Sequence, residues 1–166
     1  GNYLFKSERY GAIKLYGVEK NKDRYLASKL VSKILNSNAK FINSNFDKSL
    51  FNEKFDYVLC LNIIHHIENY EKFLSDAANL TKKMLILEFP TFLDPKYLSY
   101  KKISKKEAIK MNDLSIVGKS SQEIDQTYVY SPGFIKKYFM ENNFNFKINY
   151  TLSSPIEGRI IMSFLK

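Results

Sequence analysis

His65 and His66 are the two histidines of the chain, and they stand side by side. Imidazole titrates near neutrality, so this pair is the first candidate for moving a proton. They closely follow the apolar run Tyr57-Val58-Leu59-Cys60-Leu61, which holds the single cysteine. A thiol inside such a run packs as a small apolar side chain, and a lone cysteine cannot form an internal disulfide, which fits a reducing, intracellular setting. Two acids close apolar runs, Glu19 after Gly17-Val18 and Glu88 after Met84-Leu85-Ile86-Leu87. A carboxylate so placed can accept hydrogen bonds from a ligand's hydroxyls, or simply face a loop. Asn45-Phe46 puts an amide beside an aromatic ring. No spacing of two histidines and a carboxylate, no paired cysteines and no acidic cluster occurs, so no metal site is expected. Signatures of a serine nucleophile elbow or of a phosphate-binding loop are absent from the sequence.

The elements that must position these residues follow from periodicity. Asn2 to Arg9 reads as a helix and Ala12 to Glu19 as a strand ending in its acid. From Lys22, apolar residues Tyr25, Leu26, Leu30, Val31, Ile34 and Leu35 recur at helical spacing, and Asn36-Ser37-Asn38 ends the run. Lys40 to Asn43 is a short strand and Ser44 to Asn52 a polar loop. Phe55 to Leu61 reads as a strand buried on both faces. Asn69 to Leu80 is helical, and Met84 to Phe89 is a second buried strand closed by Pro90. Beyond it, Asp94 to Lys110 is a lysine-rich helical segment and Met111 to Thr127 is polar and irregular. Gly133 to Asn142 is a helix opened by Ser131-Pro132. Phe146 to Leu152 and Arg159 to Leu165 alternate as an antiparallel hairpin. Strands alternating with helices predict an α/β fold: a doubly wound, mostly parallel sheet that finishes in that hairpin.

At 166 residues, 45% hydrophobic and 26% charged, the chain reads as one soluble domain spanning 1–166, with a basic helical insert at about 94–130. No apolar run approaches the ~20 residues of a membrane span. The N-terminal residues lack the pattern of a secretory signal and begin without methionine, which reads as a processed or excised chain in a cytoplasmic protein. The net charge of +9 allows a polyanionic partner. Lysine supplies nearly all of it, however, and the arginines are Arg9, Arg24 and Arg159 alone, whereas phosphate recognition often uses arginine's bidentate fork.

A parallel α/β order closing in an antiparallel hairpin resembles that of class I S-adenosylmethionine-dependent methyltransferases, with a Rossmann-like fold. In that family a glycine-rich turn precedes the first helix, and an acid ending the second strand binds both ribose hydroxyls; Gly1 and Glu19 stand at the matching spacing. Asn43-Ser44-Asn45-Phe46-Asp47 is similar to the loop that meets the adenine, with Asn45 on the amine and Phe46 on the ring. Phe55 to Ile67 resembles the fourth strand and the turn that lines the methionine end, which implies Leu61 and Asn62 as cofactor contacts. In relatives that methylate hydroxyl oxygens, a histidine matching His65 is the general base.

The resemblance implies S-adenosyl-L-methionine as cofactor and a small molecule or RNA as acceptor. It also implies that the first strand and most of the glycine-rich loop precede Gly1, leaving a gap in the sheet. Tyrosines interleaved with Lys96, Lys101, Lys102, Lys105 and Lys106 would suit RNA, or form a solvated helix face. A non-catalytic binding or interaction module with the same fold is the alternative function, and a different nucleotide-binding domain a third.

Overall fold

The computed structural model of the chain describes residues 2–124 and 126–166. They divide into two units, Gly1–Leu50 and Phe51–Lys166. The first holds helix α1 (Asn2–Arg9), strand β1 (Tyr16–Val18), helix α2 (Lys22–Ile34) and strand β2 (Lys40–Ile42), followed by a 3-10 turn at Lys48–Leu50. β1 and β2 pair in parallel, with Gly17 opposite Phe41. A Cβ at Gly17 would lie 2.9 Å from the Phe41 ring and 3.0 Å from Leu4, so a bare backbone there lets the Leu4 side chain of α1 settle on the strand.

Two expectations change in this unit. The strand foreseen over Ala12 to Glu19 is confined to three residues, as many as β2 pairs with. Helix α2 forms where its periodicity places it, yet Leu26, Leu30, Val31, Ile34 and Leu35 are exposed, Ile34 at 73%. Two three-residue strands offer too little area to cover a thirteen-residue helix. The helix is instead anchored by its caps, with Asn21 accepting from Arg24 N at 3.0 Å, and by Ser32 Oγ reaching the Ser37 and Ala39 carbonyls.

The second unit runs β3 (Phe55–Leu61), α3 (Tyr70–Leu80), β4 (Thr81–Pro90), α4 (Pro95–Lys101), α5 (Lys105–Asn112), β5 (Val117–Ser121), β6 (Gln126–Tyr130), α6 (Pro132–Glu141), β7 (Lys147–Ser153) and β8 (Arg159–Leu165). Its main sheet has the order β3-β4-β8-β7. β3 lies parallel to β4, and β8 antiparallel to both β4 and β7. The core gathers Leu85, Leu87 and Phe89 of β4, Leu74, Ala77 and Ala78 of α3, Ile135 and Phe139 of α6, and Met162 and Phe164 of β8. Phe139 meets Phe164 edge-on at 4.8 Å between ring centres.

β3 departs from the doubly buried strand its sequence suggests. It pairs with β4 alone among the described residues, and Tyr57 is 62% and Leu59 38% exposed while Cys60 is buried. β1 likewise pairs with β2 alone among the described residues. Each strand therefore keeps one edge of backbone donors and acceptors outside a ladder.

The basic segment folds as two helices, each with a side-chain cap. Asp94 caps α4 ahead of Pro95, and Ser104 with Glu107 forms a capping box on α5. Much of the stretch expected to be irregular becomes the antiparallel ribbon β5–β6. Thr127-Tyr128-Val129-Tyr130 is β-favouring sequence, and the ribbon closes a small core of Phe92, Tyr97, Ala108 and Val129. No described helix is long and apolar enough to cross a membrane. No group of three or more histidine, cysteine or acidic side chains among the described residues is placed to hold a metal ion.

Candidate functional site

Glu19 follows β1 directly and continues its pairing, donating its N–H to Ile42 O at 3.0 Å. Its side chain is half-buried, and Oε1 accepts from Asn21 N at 2.8 Å, tying it to the cap of α2. Asn43, just past β2, donates from Nδ2 to the carbonyls of Glu19 at 2.8 Å and Lys20 at 3.1 Å. The acid is therefore held by backbone and amide contacts on both sides. Asn45 is exposed and Phe46 half-buried in the following loop, where Asp47 Oδ1 accepts from Ser49 N at 2.9 Å. Gly1 lies outside the described residues.

In the second unit, β3 ends at Leu61, opposite Glu88, two residues before the carboxyl end of β4. Crevices at such strand ends are where open α/β sheets bind ligands. Leu61 and Asn62 are half-buried there. Asn62 adopts a left-handed backbone, φ 54°, and donates its N–H to Glu88 O at 3.1 Å. Its side chain accepts at Oδ1 from Arg159 Nη1 and donates from Nδ2 to Glu88 Oε2 at 2.9 Å. Glu88, 6% exposed, also accepts from Ser154 Oγ. It is thus bound within the protein.

His65 sits in a 3-10 turn at Ile64–His66. It is 2% exposed, and its Nδ1 is buried without a hydrogen-bond partner. His66 is exposed, its ring 4.0 Å from that of His65. Burial, then the charges of His66, Arg159 and Lys96, lowers the His65 pKa from its ordinary 6.5 to about 3. The imidazole is neutral at physiological pH. The turn is pinned from β6, where the buried Tyr130 donates its hydroxyl to Ile64 O at 3.1 Å. Around that tyrosine, Tyr70 packs edge-on at 5.5 Å between ring centres, Tyr128 tilted at 6.3 Å and Phe134 stacked at 6.1 Å.

Residues 1–86 match the family model described as a methyltransferase domain. The chain belongs to that methyltransferase family. Solved structures agree with the fold. A magnesium protoporphyrin IX methyltransferase from Synechocystis with bound S-adenosylhomocysteine superposes over 98% of this chain and 68% of its own, at 20% identity and a TM-score of 0.67. A putative S-adenosylmethionine-dependent methyltransferase from Listeria monocytogenes superposes over all of this chain and 86% of its own, at 11% identity and a TM-score of 0.69. A third, from Clostridium acetobutylicum, covers 92% of this chain and 75% of its own at a TM-score of 0.61 with 11% identity. The chain thus spans 68% to 86% of the length of these proteins. No curated protein sequence matches it.

The methyltransferase domain places Glu19 where a strand gives way to a helix, and Asn62 and His65 at the carboxyl end of β3. Its sequence did not disclose Asp94, Ser154 or Arg159. Arg159 alone left a trace: it is one of three arginines in a chain that otherwise uses lysine, and it ends in a buried fork that lysine cannot replace.

Proposed function

We propose that the chain, as one methyltransferase-like domain, binds S-adenosyl-L-methionine and transfers its methyl group to a small-molecule acceptor in a cytoplasmic setting. The reading rests chiefly on Glu19, a half-buried carboxylate held at a strand end within the stretch that matches the family model. The donor set suits the cofactor. Glu19 would accept from the ribose hydroxyls, Asn45 and Phe46 would meet the adenine, and Leu61 and Asn62 the methionine end. The glycine-rich turn would include Gly1.

When bound, this cofactor supplies a methyl group on a positively charged sulfur, so the leaving group needs little acid assistance. The chain's task is orientation and exclusion of water. His65 is the proposed catalytic residue, acting as a neutral imidazole whose Nδ1 faces no protein donor. Burial is the main cause of its lowered pKa, ahead of the charges of His66, Arg159 and Lys96, so a negatively charged acceptor would oppose only the smaller part of that shift.

The test is calorimetric titration with S-adenosylhomocysteine, with Glu19→Ala alongside. Binding that weakens at least about tenfold in the variant supports the reading, in line with loss of a charged hydrogen-bond acceptor. Equal binding by both chains would remove Glu19 from the site. Absence of binding would favour the non-catalytic module. RNA is the second acceptor reading, favoured by the exposed Lys101, Lys102, Lys105 and Lys106.

A further inference from the structure

We propose that Arg159 is a positioning residue of the cofactor site, which clamps the Asn62 side chain and with it the left-handed turn after β3. The inference deepens the reading above and rests on Asn62 being a cofactor contact.

Asn62 is pinned by two partners of opposite charge. Its carbonyl oxygen accepts a hydrogen bond from Arg159 Nη1, and its amide nitrogen donates one to Glu88 Oε2 at 2.9 Å. Turning the amide over would set its N–H groups against a guanidinium and its oxygen against a carboxylate. One orientation is therefore enforced. A non-glycine residue at φ 54° needs such support, since that region is sparsely populated for L-residues.

The clamp is itself charge-paired and largely buried, although its Nε makes no hydrogen bond. Arg159 Nε lies 3.5 Å from Asp94 Oδ2, with their side chains 12% and 3% exposed. Asp94 also caps α4 by accepting from Lys96 N at 2.9 Å. The residue before Arg159, Gly158, has φ 74°, and a Cβ there would fall 2.3 Å from Asp94 Cα. Its carbonyl accepts from Thr91 N at 2.9 Å and Thr91 Oγ1 at 2.8 Å. The β7–β8 turn is thus docked on residues 91–94, and the guanidinium joins that dock to the end of β3. Asn62 is where the chain of contacts reaches the strand-end turn.

Four chains test this: the unaltered protein, Arg159→Lys, Asn62→Gly and the double variant. Lysine can still pair with Asp94 but lacks the second arm, and glycine tolerates the backbone of Asn62 while deleting its amide. We expect Arg159→Lys and Asn62→Gly each to weaken S-adenosylhomocysteine binding about tenfold, and the double variant to be no weaker than Asn62→Gly alone. The Asn62 side-chain amide resonances should also move in Arg159→Lys. Losses that multiply in the double variant would overturn the proposal, as would unmoved amide resonances. If the unaltered chain binds no cofactor, the functional reading fails, and the resonances alone decide whether Arg159 holds Asn62.

Discussion

A buried neutral histidine makes stability depend on pH in one direction. His65 titrates near 3 when folded and near 6.5 when unfolded, so between those values the unfolded chain carries more protons. Stability contributed by the neutral imidazole is then complete above pH 6.5 and falls as pH drops toward 3. The loss from this one group is on the order of 4 kcal/mol at the acid end. Urea unfolding at a series of pH values should show a shallower acid loss in His65→Gln than in the unaltered protein; parallel curves would mean that His65 is not held neutral. A second consequence concerns rate. Ionisation this low places no His65-dependent limb in a methyl-transfer pH profile between pH 5 and 8, unless a bound acceptor raises it. Cys60 follows the same logic with opposite sign for its basicity: burial pushes its thiol up to about 12. Thiol reagents at pH 8 should leave it unmodified in the native protein and label it once denaturant is added.

At the scale of elements, two supports carry the strand-end turns. Tyr130→Phe removes the hydroxyl that reaches Ile64 O while keeping the ring in its aromatic surroundings. It should cost about 1–2 kcal/mol in chemical denaturation, with larger changes in the amide shifts of residues 64–66 than elsewhere. Gly158→Ala asks for a left-handed alanine whose Cβ overlaps the Asp94 backbone. Its expected cost, about 3 kcal/mol, should appear as a lower urea midpoint with the slope unchanged.

These supports also show why the fold was more legible than the site. Helices α1, α3 and α6 and strands β3, β4 and β8 follow from local periodicity and caps, because neighbours in sequence decide them. The Asn62–Arg159 contact joins residues 97 positions apart, and no local pattern encodes it. The exposure of the apolar face of α2 was equally hidden, since a stripe of leucines reports what a helix can bury and not whether a layer lies over it. The β5–β6 ribbon was missed because serine and glutamine interrupt its alternation, while its packing on Phe92 and Tyr97 is tertiary.

At the scale of the whole molecule, the +9 charge bears on the acceptor. Lys101, Lys102, Lys105 and Lys106 are all exposed, at the end of α4 and the start of α5, and Lys101 lies over the Tyr100 ring at 5.1 Å. Flexible ammonium groups in water attract any polyanion through counterion release, and the gain falls steeply with salt. A surface of this kind, without arginine forks, predicts contact that ignores sequence. Fluorescence anisotropy with a mixed-sequence RNA should therefore show affinity no tighter than about 1 μM at physiological salt, as for non-specific binding. It should be lost in the variant with all four lysines changed to glutamine, while titration of that variant with S-adenosylhomocysteine matches the unaltered chain. Submicromolar, sequence-dependent binding that survives raised salt would instead require paired, desolvated contacts to RNA. That outcome would favour a nucleic acid over a small molecule as the proposed acceptor, with α4 and α5 as the recognition surface.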